Sequence, residues 1–139
     1  MAGTVVADTL QADSTSTLVL KNGVANTPPT VQDSAGTQIG TFCRAWVNFN
    51  GTSTVAIRAS FNVTSITDNG TGDYTVNFTN AMPDANYASF GFGKQGTGTT
   101  IGGAGIEGTS PSTGSLRILT ADASFNAADF VFVSVSIFR

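Results

Sequence analysis

The chain has 139 residues, of which 40% are hydrophobic and 11% charged, with a net charge of −3, ten phenylalanines, one cysteine and no histidine. That length holds one ordinary domain, and the apolar share excludes an acidic disordered chain. Six Lys and Arg residues spread from Lys21 to Arg139 form no basic patch, which disfavours nucleic acid as a partner.

Between the apolar positions, Thr, Ser, Asn and Gly dominate, and Glu107 is the only glutamate. β-branched Thr suits the outer side of a pleated sheet, and Gly, Asn and Asp supply turns. The expectation is an all-β fold with almost no helix. Residues 1–20 carry no charged start followed by a long apolar run, because Asp8 and Asp13 interrupt it, so a signal peptide is not expected. The longest apolar stretch, Phe130-Val131-Phe132-Val133, is far short of the about 20 residues a bilayer-spanning helix needs. A soluble protein without membrane insertion is expected.

The chain divides near Gly40. Residues 1–40 are polar, with short extended pieces at Ala7 to Ala12 and Thr17 to Leu20, a turn at Lys21-Asn22-Gly23, and Pro28-Pro29, which excludes a central strand. Too few large apolar residues lie here to fold alone. Val5, Val6, Leu10, Leu18, Val19 and Leu20 are therefore expected to be covered by other copies of the chain or by a partner, making this an assembly arm.

Residues 41–139 read as an antiparallel β-sandwich, jelly-roll-like or Ig-like. In the first strand Ala45, Val47 and Phe49 face one way, and Arg44, Trp46 and Asn48 the other. Asn50-Gly51 marks a turn; strands follow over Val55 to Ala59 and Phe61 to Ile66, with a hairpin turn over Thr67 to Gly72. The clearest strand is Asp73 to Thr79, with Tyr74, Val76 and Phe78 inward. Another covers Asn86 to Gly93. From Lys94 to Gly114 the Gly, Thr and Ser residues show no period, and a long surface loop anchored by Ile101 and Ile106 is expected. Ser115 to Leu119 and Asp129 to Arg139 close the chain. The last strand places Val131, Val133, Val135 and Ile137 on one face and Phe130, Phe132, Ser134, Ser136 and Phe138 on the other, as in a central strand or one covered by a neighbouring subunit.

No constellation for chemistry emerges. Cys43 has no second cysteine to pair with and no histidine to raise its thiolate fraction. Gly91-Phe92-Gly93-Lys94-Gln95-Gly96 matches G-x-G-x-x-G, but no helix follows to hold a pyrophosphate. The run Asp68 to Asp73 lacks the bidentate Glu of a calcium loop and reads as a turn. Four Asn-x-Thr sequons are what an Asn/Thr-rich chain produces by chance. The aspartates sit at turns rather than as paired carboxylates, and a Ser/His/Asp set is impossible. No enzyme, metal or cofactor is expected. Trp46 suits the core or a subunit interface.

Over residues 43–90, Cys43-Arg44-Ala45-Trp46-Val47-Asn48-Phe49-Asn50-Gly51, Val55-Ala56-Ile57-Arg58, the run Ser65 to Phe78 and Ala81-Met82-Pro83-Asp84-Ala85-Asn86-Tyr87 resemble a module of phage virion proteins. The module stands near the C-terminal ends of tail-fibre and other virion structural proteins of tailed phages. The resemblance covers about a third of the chain and implies a homotrimeric fibre tip or capsid decoration. It implies an arm that joins other virion proteins, capsid or tail, a knob displayed outward, location in the virion and no catalytic residues. About forty residues before the module are too few for a shaft, which favours a short head fibre, cement protein or small tip. The alternative is host attachment by a receptor- or carbohydrate-binding module, with Tyr87, Lys94, Ile101 and Ile106 as candidate contacts to a cell-surface glycan.

Overall fold

The computed structural model describes residues 29–96, 101–106 and 111–139, together with Leu20 and Gly23. Among these are ten strands and no helix: β1 (Val31–Gln32), β2 (Gln38–Gly40), β3 (Cys43–Asn50), β4 (Ala56–Phe61), β5 (Val63–Gly70), β6 (Asp73–Phe78), β7 (Ala88–Lys94), β8 (Ile101–Ile106), β9 (Ser115–Ala121) and β10 (Phe132–Phe138). The all-β, antiparallel class expected from composition is the one observed. β1 and β2 make a small exposed hairpin in which Asp33 Oδ1 accepts the amides of Ala35 and Thr37, both at 2.9 Å. The other eight strands form one antiparallel ladder in the order β4-β3-β10-β7-β8-β9-β6-β5. β7, β8 and β9 meander and β10 returns beside β7, which is Greek-key order.

The two edges of this ladder, β4 and β5, are consecutive in the chain and separated by Asn62 alone. The sheet therefore curls so that its two edges approach each other at Asn62, with no ladder between them. Asn62 sits at φ 56°, a conformation Asn tolerates better than most residues. Its amide donates to the carbonyls of Arg44 (3.0 Å) and Asn80 (3.1 Å), and its Oδ1 accepts the Asn80 amide at 2.8 Å. The sandwich is thus made by two halves of a single ladder.

Period-two alternation fills the space between the halves. Ala45, Val47 and Phe49 of β3, Tyr74, Val76 and Phe78 of β6, Leu116, Ile118 and Thr120 of β9, and Val133, Val135 and Ile137 of β10 are all buried. Each fully buried large apolar side chain contributes about 1.5–3 kcal/mol. The rings of Phe49 and Tyr74 meet edge to face at 5.2 Å, tying β3 to β6 across the core. One end of the core is closed by a polar clasp. The Tyr74 hydroxyl lies 2.8 Å from both the Gly51 carbonyl and Asp129 Oδ1, and the Gly72 amide donates to the same Asp129 oxygen at 2.7 Å. Gly72 is required there: its φ is +68°, and a Cβ would stand 2.5 Å from the Thr120 carbonyl oxygen.

Four expectations are corrected. The segment from Lys94 to Gly114 is not one long loop, because β8 occupies its middle and pairs with β7 and β9 inside the sheet. Strand β5 continues to Gly70, so the hairpin turn is shorter than expected. Phe130 is fully buried: it lies before β10, where strand alternation has not begun, and it plugs the clasped end of the core. Tyr87 is buried as well, with its ring edge-on to Phe78 at 5.9 Å and its hydroxyl bonded to the carbonyls of Ser112 and Ser115.

Candidate interaction face

The outward side of the half-ladder β4-β3-β10-β7 is set by register. Opposed residues of antiparallel strands point to the same face, so each pairing defines a row of neighbours. One row runs Phe61, Trp46, Ser136, Phe90, and the next runs Ala59, Asn48, Ser134, Phe92. At one end Phe132 stands opposite Lys94, and at the other Phe138 stands opposite Ala88. Six aromatic rings thus share one outer face, and all are exposed, from 39% at Trp46 and Phe138 to 72% at Phe90.

Two of the polar groups between the rings, Asn48 and Ser134, are bonded to each other. Asn48 Nδ2 donates to Ser134 Oγ at 2.9 Å and approaches the Val133 carbonyl at 3.4 Å. The Arg58 guanidinium donates to the Val131 carbonyl and lies 4.2 Å over the centre of the Phe132 ring, a cation–π contact. These four strands contain Arg44, Arg58 and Lys94 but no Asp or Glu. The face is therefore apolar with a cationic margin.

The outer side of the other half-ladder is its opposite in character. Asn77 Nδ2 reaches Ser65 Oγ and Thr67 Oγ1 at 3.1 and 2.9 Å, and Asn69 Nδ2 reaches Asp73 Oδ1 and Thr75 Oγ1 at 3.2 and 2.9 Å. Arg117 grips Asp73 with two nitrogens, which holds that carboxyl below the usual aspartate range. Among the described residues of this side, hydroxyls, amides and the Arg117–Asp73 ion pair stand where the other side has rings.

The sites anticipated from sequence are not brought together. Val5, Val6, Leu10, Leu18 and Val19 lie outside the described residues, and Leu20 is exposed. Tyr87 is held in the core and is not available as a surface contact. Lys94 ends β7 at the margin of the aromatic face, while Ile101 and Ile106 bound β8. Cys43 is half-buried and its thiol points to the Ala45 carbonyl at 3.3 Å. Gly91 and Gly93 of the glycine motif belong to a mid-sheet strand. A Cβ on Gly93 would stand 2.3 Å from Phe130, so packing explains that glycine. Among the described residues no three His, Cys, Asp or Glu side chains are grouped to hold a metal, and no helix is long and apolar enough to cross a membrane. Sequence reasoning missed Phe61, Phe90 and Phe92; the signal was present in the alternation Phe90-Gly91-Phe92-Gly93.

No protein-family model and no curated protein matches the chain. Among solved structures, the chain is similar in fold to the phiAB6 tailspike, whose structure was determined with three-repeated oligosaccharides of Acinetobacter baumannii surface polysaccharide. The TM-score is 0.52 at 14% identity, over 88% of this chain and 30% of the tailspike chain. The chain therefore spans less than a third of the tailspike's length, and the likeness is one of fold.

Proposed function

We propose that this chain is a non-catalytic structural module of a phage virion, a short fibre, head decoration or fibre tip, that works by self-association. The observation that carries this reading is the contrast between its two outer faces: one is sealed by its own hydrogen bonds, and the other presents six exposed rings. A domain with one such face is built to be covered. The fold it shares with part of a phage tailspike, and the resemblance of residues 43–90 to a virion module, support the setting. The Thr41 hydroxyl donates to the Arg139 carbonyl at 2.8 Å, so chain entry and exit lie at one end of the sheet. Residues 1–40 join the particle from that end, and the clasped end near Gly51, Gly72 and Asp129 is displayed.

A second reading is attachment to a host surface glycan. The bound oligosaccharide of the tailspike favours it, as does a face of exposed rings, on which sugars stack.

Light scattering on the full chain tests the first reading. Self-association as a homotrimer gives about 43 kDa from three copies of the 14.2 kDa chain. Peptides of the chain are expected in purified particles of the phage that encodes it. A chain missing from those particles contradicts the virion reading.

A further inference from the structure

We infer that the aromatic face of β4-β3-β10-β7 is the surface on which copies of this chain pack against one another. The inference rests on the self-association proposed above and names the contact that produces it.

Size is the first argument. The six rings expose about half their surface on average. Since an aromatic side chain presents about 150–250 Å², the rings alone offer roughly 600 Å². That matches the largest patch a typical monomer exposes, about 300–600 Å². With the Ala, Ser and Asn residues between the rings it approaches the roughly 800 Å² that each partner contributes to a stable interface.

Chemistry is the second. A glycan needs unsatisfied donors and acceptors beside the ring on which it stacks. Here Asn48, at the centre of the face, is committed to Ser134 and Val133. The Asn48 amide and Ser134 hydroxyl, bonded to each other, lose little when water leaves, so the centre of the face suits a dry contact while Arg58 stays at its wet margin.

Symmetry supplies the partner. In an assembly of identical chains this face must meet a face that the chain itself possesses. Among the described residues, the opposite face is polar and internally bonded along β5 and β6 and presents no comparable apolar patch. Copies of the aromatic face therefore converge on one another about the axis. The like charges gather at one end of the face: Lys94 is four strand positions from Phe90, about 13 Å along β7 from the row of Phe61, Trp46 and Phe90, and Arg58 lies over Phe132, the ring opposite Lys94.

The test uses the full chain and measures mass by size exclusion with light scattering, with circular dichroism to confirm folding. Phe90→Asp changes the most exposed ring on the face and leaves the core untouched; Phe61→Asp is a second, independent variant on the same row. Thr67→Asp, on the polar face, keeps an acceptor for Asn77 and serves as control. The expected result is about 43 kDa for wild type and Thr67→Asp and 14.2 kDa for folded Phe90→Asp and Phe61→Asp. Folded Phe90→Asp and Phe61→Asp that remain associated overturn the inference while leaving self-association standing. Wild type at 14.2 kDa throughout refutes self-association itself. If Trp46 emission of that monomer then moves on titration with bacterial surface polysaccharide, the face belongs to a glycan, which also overturns the inference.

Discussion

Gly93→Ala tests whether the glycine-rich run in β7 serves packing. Gly93 pairs with Val133 on one side and Gly102 on the other, so its backbone is fixed by two neighbouring strands. A methyl group there would stand 2.3 Å from Phe130 Cδ2 and 3.0 Å from Cε2. Favourable carbon contacts lie at about 3.5–4.0 Å, so the ring must move by roughly an ångström. Phe130 has little room to do so: it is fully buried, and its carbonyl accepts the Gly51 amide at 2.8 Å. Overpacking of this kind costs about 1–3 kcal/mol, or roughly 4–12 °C in Tm for a domain of this size. Urea unfolding at fixed protein concentration measures it, because self-association makes stability depend on concentration. Phe130→Leu removes the ring edge that the methyl strikes, so the double variant should be more stable than the sum of the single losses by about 1 kcal/mol. A Gly93→Ala protein within about 0.5 kcal/mol of wild type, or strictly additive losses, would refute the packing account.

Two further perturbations follow from the same geometry. Asn62→Ala removes the side-chain bonds at the seam and places an ordinary residue at φ 56°, whereas Asn62→Gly removes the bonds alone. Alanine should therefore be the more destabilising by about 1 kcal/mol in denaturant unfolding, and equal losses would contradict the strain. Burial raises both tyrosines above the ordinary phenol range, and the Asp129 carboxylate adds to the effect at Tyr74. Their folded values exceed the unfolded value of about 10, so this contribution to stability is complete below pH ~10 and declines as pH rises beyond it. Phenolate absorbance should accordingly appear only with unfolding. A tyrosine that ionises near pH ~10 while the circular dichroism stays native would disprove the burial argument.

Much of this architecture is legible from alternation. The inward sets Ala45, Val47, Phe49 and Tyr74, Val76, Phe78 read directly from the sequence because a sheet with one buried face repeats every second residue. Strand β8 escapes that reading because three of its six residues, Gly102, Gly103 and Gly105, carry no side chain from which a period can be read. Its place is set by the ladders of β7 and β9. Phe130 and Tyr87 depart from strand alternation for a common reason: both precede the strand proper, where the period does not apply, and their rings turn inward. The aromatic face is half legible. Alternation turns Trp46, Phe132 and Phe138 outward, but only cross-strand register shows that Phe61, Trp46 and Phe90 share one row.

Trp46, the only tryptophan, stands in the middle of that row and is 39% exposed, so its emission reports on whether the face is covered. The most direct measurement is the emission maximum and quencher accessibility of the full chain as its concentration is raised through association. The account predicts a shift to shorter wavelength and loss of quenching as the mass rises. An associated chain whose Trp46 remains as wet as in the dilute monomer would contradict it.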